Sequence, residues 1–391
     1  MPKILLAFDS FKNCMSAAQA CKAAANGISE LGLRGIGVEE IPLSDGGEGL
    51  SEVLRSFPDF KGSAYFTADA HDAYGNPSKV QILENGDLAV IETARVVGLE
   101  DAQRQGLRFL DGTSYGVGEA IGACLSRGFS RIIISLGGSA TNDGGAGMVQ
   151  ALGARFCDAK GDEIKSPIRV RDLKSIASAD ISRIDPRIRK CEVEIPCDVV
   201  NPLLGAAGAT FVFGAQKGGS HEELMQAEEG MAAYAAAMEA ATGLKEAKDL
   251  PGAGAAGGLG AGCLYALNAH LRSGIDAVLD LASFDVRLAE AALVLTGEGR
   301  SDAQSALGKV PSGVIRRCCV RGVKCVVVSG ALGDGAPDLI RLGASAIFSI
   351  CDRPMALETS IRNAPDLLSI QCANVVRLIS LCGGLDVRTE L

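Results

Sequence analysis

Four short stretches of this 391-residue chain set carboxylates, hydroxyls or cations in an open turn, three of them with glycine. They are Asp9-Ser10-Phe11-Lys12, Asp45-Gly46-Gly47-Glu48-Gly49, Gly137-Gly138-Ser139-Ala140-Thr141-Asn142-Asp143-Gly144-Gly145 and Gly297-Glu298-Gly299-Arg300-Ser301-Asp302. A further segment runs Pro196-Cys197-Asp198-Val199-Val200-Asn201-Pro202 and is followed by Phe213-Gly214-Ala215-Gln216-Lys217-Gly218. The inventory is six carboxylates (Asp45, Glu48, Asp143, Asp198, Glu298, Asp302), three lysines (Lys12, Lys217, Lys309) and many exposed backbone amides. Such a set suits phosphoryl transfer, which works by positioning and charge stabilisation, with Mg²⁺ and cations on the phosphates and one carboxylate taking the acceptor proton.

The 137–145 stretch is the sharpest. Glycine lets backbone approach a ligand, and amides at a strand-to-helix turn attract anions. Ser139, Asn142 and Asp143 are expected on substrate, and the Gly137 and Gly138 amides on an anion, either a nucleotide phosphate or a substrate carboxylate. A carboxylate about 4 Å from an anion costs about 4 kcal/mol at an effective dielectric near 20. Asp143 is therefore expected to face a substrate hydroxyl or a magnesium ion. Lys309 precedes Pro311-Ser312 at a helix start, where a cation beside open amides suits phosphate. Two other patterns carry less. Gly252-Ala253-Gly254-Ala255-Ala256-Gly257 fits G-x-G-x-x-G but follows Leu250-Pro251 rather than a strand, so a nicotinamide enzyme rests on little. Gly308-Lys309 has Ala303 where a P-loop needs its first glycine.

Composition narrows the class. The three histidines (His71, His221, His270) never fall at ligand spacing, which argues against a His-rich zinc site and leaves no plausible His base. The thirteen cysteines include no C-x-x-C, and Cys124, Cys263, Cys325, Cys372 and Cys382 sit in apolar runs. Buried, reduced thiols of this kind imply a reducing, cytoplasmic setting. A net charge of −9 without a Lys/Arg run disfavours nucleic acid and anionic lipid. No apolar run approaches a membrane span and no secretory leader is expected.

The elements that must hold these loops alternate. Lys3–Phe8 reads as a strand, Ser16 with Gln19 as a capping box opening a helix, Val38–Leu43 as a strand, and 113–126 as a helix stopped by Gly128. Arg131–Leu136 reads as a doubly buried strand, and Leu293–Thr296, Cys325–Ser329 and Ala346–Ile350 repeat the rhythm. This pattern implies an α/β fold with a mostly parallel sheet. Asn85-Gly86 between Lys79–Leu83 and Leu88–Glu92 signals a hairpin, Ala209–Phe213 reads as extended, 222–242 as a helix and 252–262 as a loop. Two α/β domains are expected, one discontinuous (1–56, 104–155 and 286–391), the other built from 57–103 and 156–285.

The strings DSFK (9–12), DGGEG (45–49), TSYGVGE (113–119), GGSATNDGGAGM (137–148), CDVVNPL (197–203), FGAQKG (213–218), PGAGAAGGLG (251–260), TGEGRSDAQ (296–304) and GKVP (308–311) span nearly the whole chain. In this order they resemble the class I glycerate kinase family of the bacterial type. The resemblance implies phosphorylation of D-glycerate by ATP with Mg²⁺, a 2-phosphoglycerate rather than 3-phosphoglycerate product, and an active site in a cleft between two α/β domains, the discontinuous one Rossmann-like. Its acidic and basic positions map onto Lys12, Asp45, Asp143, Asp198, Glu298, Asp302 and Lys309. On this basis Asp198 or Asp45 is expected to accept the hydroxyl proton, Lys12 and Lys309 to neutralise phosphate, and Asp143 and Asp302 to hold Mg²⁺ or substrate hydroxyls. Glu48, Asn201 and Arg300 are further expected on substrate, and Lys217, Glu298 and Ser312 on nucleotide or phosphate. The chain departs from the family at Ser44, at Arg95-Val96-Val97 where small residues are usual, and at Ser305-Ala306-Leu307 where a more polar stretch is usual.

Overall fold

Lys3–Phe8 is apolar at five successive positions and buried at all five, as a strand covered on both faces must be. It is an inner strand of a five-stranded sheet whose order is Ala346–Ser349, Lys324–Ser329, Ala291–Gly297, Lys3–Phe8, Gly37–Glu40, all parallel. The computed structural model describes residues 3–33 and 35–381; Cys382 lies outside them. In sequence order the five strands read 2-1-3-4-5, a doubly wound order whose switch point falls between Lys3–Phe8 and Ala291–Gly297. On one face, helices Ala17–Ser29 and Leu357–Leu381 share a core with Ile4, Leu6, Leu295 and Val328. They meet so closely that a Cβ on Gly27 would lie 2.1 Å from the Ser369 carbonyl oxygen. The first of these helices opens on the expected capping box: Gln19 N–H donates to Ser16 Oγ, and Ser16 N–H to Gln19 Oε1. The Val310–Arg321 helix also packs on the sheet, against strands Lys3–Phe8, Ala291–Gly297 and Lys324–Ser329.

Packing divides the chain into two units. Residues through Asp45, Glu52–Lys61 and the chain from Ser273 onward form the first; Gly46–Ser51 and Gly62–Arg272 form the second. The second has a six-stranded sheet ordered His270–Arg272, Glu192–Pro196, Arg131–Ser135, Leu88–Glu92, Pro77–Asn85, Ala64–His71. The first four strands are parallel and the last two join antiparallel. The expected boundaries are thereby corrected. Residues 104–155 belong to the second unit because Arg131–Ser135 pairs with Leu88–Glu92 on one side and Glu192–Pro196 on the other. Residues 57–61 and 273–285 belong to the first, and 46–51, expected in the first, belong to the second.

The expected hairpin forms, with Asn85 paired to Leu88 around Gly86 at φ +62°. Ala209–Phe213, expected to be extended, is a short helix: its β-favouring side chains yield to burial of Ala209 and Thr210. Of the 252–262 loop, residues from Ala255 onward enter the Ala255–Leu267 helix, broken where Ala256, Gly257 and Gly258 all take positive φ. No helix among the described residues is long and apolar enough to cross a membrane.

The glycines of 252–262 serve packing. Gly257 sits at φ +69°, its carbonyl accepts from Gly144 N–H, and a Cβ there would lie 2.0 Å from the Thr141 carbonyl oxygen. Gly257→Ala combines a left-handed backbone with an immovable clash. It is expected to destabilise the second unit by about 2–4 kcal/mol, read as a fall in the urea midpoint at unchanged slope.

Candidate active site

The switch point of the first unit carries two of the singled-out loops. Asp9 follows the Lys3–Phe8 strand, its N–H donating to the Gly297 carbonyl, and Glu298 follows the neighbouring strand. Burial, with repulsion from Asp45 and Glu298, pushes the Asp9 carboxyl up to about 7, although the Ser10 N–H donates to it at 2.6 Å. Glu298 is 7% exposed. Burial raises its pKa too, opposed by the Ser305 hydroxyl, the Lys309 charge and the Ser301 hydroxyl. Asp9 thus feels both Asp45 and Glu298, and Glu298 feels Lys309 as a counter-charge. Asp9, absent from the sequence-derived site residues, belongs with them; its signal was its place at the carboxyl end of an apolar strand.

Lys309 is the N-cap of the Val310–Arg321 helix, with Pro311 in the first turn. A cation there opposes the helix dipole, so its place serves something other than helix stability. Ser312 is spent locally, its hydroxyl donating to the Lys309 carbonyl and accepting from Gly308 N–H. Asp302 caps the turn that follows it, accepting from Gln304 N–H, and Arg300 reaches to 3.8 Å of its other oxygen. Lys12 is exposed and forms no ion pair among the described residues. Close backbone packing shapes these loops: a Cβ on Gly330 would lie 2.3 Å from the Gly299 carbonyl oxygen.

The second unit holds the rest. The Gly137-Gly138 turn lies against the 47–48 loop, where a Cβ on Gly137 would be 3.0 Å from the Glu48 nitrogen. Glu48 itself is exposed. That loop is anchored by Glu92, 2% exposed, which accepts from the N–H groups of Gly49 and Ser51 and from Arg95 Nε. Sequence reasoning passed over Glu92; a carboxylate ending an apolar strand was the available signal.

Asp143 is fully buried. Its carboxylate accepts from Ser114 N–H (2.7 Å), Ser114 Oγ (2.8 Å), Gly147 N–H (3.1 Å) and Gly145 N–H (3.2 Å). Burial raises its pKa and these donors oppose the rise. Gly112-Thr113-Ser114-Tyr115-Gly116 has the spacing of a hydrolase G-x-S-x-G, but the Ser114 hydroxyl is committed to Asp143. Lys217, 3% exposed, donates to the Thr141 carbonyl at 2.6 Å and to Ser139 Oγ at 3.4 Å. Burial brings its pKa down to about 7 against the pull of Asp143. Beside it, Asn142 Nδ2 donates to Thr210 Oγ1, while Asn142 Oδ1 and Thr141 Oγ1 are buried without a partner. Asp198 follows the Glu192–Pro196 strand, and Asn201 donates from Nδ2 to the Ala207 carbonyl.

The expected residues therefore gather as two sets. Lys12, Asp45, Glu298, Arg300, Asp302, Lys309 and Ser312 belong to the first unit; Glu48, Gly137, Gly138, Ser139, Asn142, Asp143, Asp198, Asn201 and Lys217 belong to the second. Among the described residues no three His, Cys, Asp or Glu side chains converge as a metal cage.

A model of the glycerate kinase family matches residues 4–380. The chain is 37% identical over 385 residues to a glycerate 2-kinase of Escherichia coli strain K12, covering 97% of this chain and 98% of that protein. It is 36% identical to a glycerate kinase of Halalkalibacterium halodurans, covering 96% of this chain and 97% of that one. A crystal structure of a protein provisionally named glycerate kinase 2, from Salmonella typhimurium LT2, superposes with a TM-score of 0.84 at 36% identity, covering 98% of this chain and all of that one.

The Asp9 carboxyl gives a pH test. Below about pH 4 it is protonated both folded and unfolded, so it leaves stability unchanged. As the pH climbs from the unfolded value of 3.8 to the folded value of about 7, only the unfolded chain ionises freely, so stability is lost; above that the loss is complete. Asp9→Asn is expected to raise the calorimetric unfolding temperature by a few degrees at pH 8 and to leave it unchanged near pH 3, below both pKa values. An equal shift at both pH values would refute the crowded-carboxylate reading.

Proposed function

Because the chain belongs to the glycerate kinase family, we propose that it is an ATP-dependent, class I glycerate kinase that transfers the γ-phosphoryl group of ATP to a hydroxyl of D-glycerate, yielding ADP and 2-phosphoglycerate. The match of the family model over residues 4–380 carries this reading. The loops described above support it chemically: carboxylates, lysines and amides at strand ends suit phosphoryl transfer. The choice of the 2-hydroxyl is supported by the name of the Escherichia coli relative. A cytoplasmic setting is supported by the free thiols among the described residues.

In the proposed reaction the glycerate hydroxyl oxygen attacks the γ-phosphorus, the bond to the bridging oxygen breaks, and ADP leaves. The hydroxyl proton passes to Asp45 or Asp198, each placed beyond the carboxyl end of a parallel strand. Lys309, with the amides of its helix start, and Lys12 take up phosphate charge. Glu48, Ser139, Asn142, Asn201 and Arg300 are proposed to position glycerate, with Lys217 and the Gly137 and Gly138 amides receiving an anionic group. One or two of the carboxylates of Asp9, Asp45 and Glu298 would suit Mg²⁺, which takes hard oxygen donors and uses one or two carboxylates beside phosphate oxygens and water. Such a cation would relieve the repulsion that Asp45 and Glu298 exert on Asp9. When bound it would neutralise charge on the transferring group. Asp302, expected as a ligand, suits loop positioning better, since its oxygens face Gln304 N–H and Arg300. Asp143, with four donors on its carboxylate, suits the same role within its own loop.

Product analysis tests the activity. With ATP, Mg²⁺ and D-glycerate, coupling to enolase and pyruvate kinase without a mutase should give an immediate signal; a signal only after mutase is added would reverse the assigned hydroxyl, and no ADP release would remove the kinase reading. Asp45→Asn and Asp198→Asn distinguish the two candidate bases: the true base should lose about 10²–10⁴-fold in kcat. Near-full turnover in both would remove them from that role.

A further inference from the structure

We propose that the cavity at the switch point of the first unit receives the purine and ribose of the nucleotide, with Lys12 at its edge meeting the phosphates. This rests on the ATP-dependent reading above and adds where, in the fold, the base is held.

The cavity has a volume of about 540 Å³, within the range of small-molecule sites. It opens at the carboxyl ends of the parallel strands, where doubly wound sheets bind ligands. Its wall is apolar: Phe11, Ile350, Met355 and Ile361 line it, and Gly299 and Gly330 contribute backbone without side chains. A flat ring can lie against such a surface. The only charged lining residues are Lys12 and Arg353, both cations. An apolar slot with cations and no carboxylate suits a ligand that is aromatic at one end and anionic at the other. A cavity of about 590 Å³ in the second unit is unlike it. Glu48, Glu100 and Asp101 line it together with Lys79, Arg95 and Arg104, and its only large apolar lining side chain is Leu99.

Two thiols provide the readout. Cys351 is exposed and lines the cavity, its Sγ lying 3.5 Å from the Gly330 carbonyl oxygen. Cys319 is equally exposed but lies by Leu342 and Gly343, away from the lining. The test alkylates the intact protein with N-ethylmaleimide, with and without saturating ADP and without glycerate, and follows each peptide by mass spectrometry. ADP should slow Cys351 labelling at least tenfold and leave Cys319 unchanged. Half-protection should fall at the ADP dissociation constant measured by calorimetry. Calorimetric binding of ADP with unchanged Cys351 labelling would overturn the location while sparing the kinase reading; no ADP binding at all would overturn both. Ala331→Trp, at an exposed lining position, guards against indirect protection. It should raise KM for ATP tenfold or more with KM for D-glycerate within twofold, and an unchanged KM for ATP would also sink the location.

Discussion

One buried carboxylate organises the second unit. Asp143 draws the start of the 115–127 helix and the turn into the 146–151 helix onto a single pair of oxygens, through four donors from Ser114, Gly145 and Gly147. An enclosed charge is tolerable only when it is hydrogen-bonded or paired, and these four donors meet that need; Lys217 lies in the same interior, its own charge disfavoured by burial. The same four bonds fix the turn in which Ser139 and Asn142 must lie, so this carboxylate sets the shape of the loop that the sequence marks as the anion site. The surrounding glycines are a consequence. Gly144 and Gly257 lie where a Cβ would strike Tyr234 and the Thr141 carbonyl respectively, because backbone itself closes over the charge.

The first unit solves the opposite problem. Here burial, with repulsion from Asp45 and Glu298, raises the Asp9 carboxyl to about 7. A fold under selection for stability alone has no reason to keep that arrangement, whereas the phosphate-bound cation proposed above would supply one. Lys309 against its helix dipole points the same way.

Most of the architecture was legible because it rests on local rules. The apolar runs gave the strands, Ser16 with Gln19 gave a helix start, and Gly128 at φ +85° gave a helix stop. What was illegible depends on partners far along the chain. Residues 104–155 were misplaced because strand pairing, which no local pattern encodes, joins Arg131–Ser135 to Glu192–Pro196. Ala209–Phe213 took helix against its own propensity for the same kind of reason. At the site, residue type identified where chemistry is concentrated but could not tell an exposed group from a spent one. Ser312 and Asp302 read as ligands in the sequence, and the hydrogen bonds they make to Gly308 and Gln304 within their own loops are not legible there.

The scarcity of histidine acquires a physical meaning at this point. With no imidazole at hand, a group that changes protonation near neutrality must be made by environment, and the chain makes two. Burial lifts a carboxyl at Asp9 to about 7 and lowers an amine at Lys217 to about 7. The routes differ. Asp9 is raised by desolvation and by neighbours of like charge, so a bound cation would return it to the ionised form. Lys217 is lowered by desolvation alone, against Asp143, so an anion arriving beside it would return it to the charged form. Each group would therefore acquire its working charge when its ligand arrives. In the apo fold, each is spared much of the cost of holding that charge in the interior.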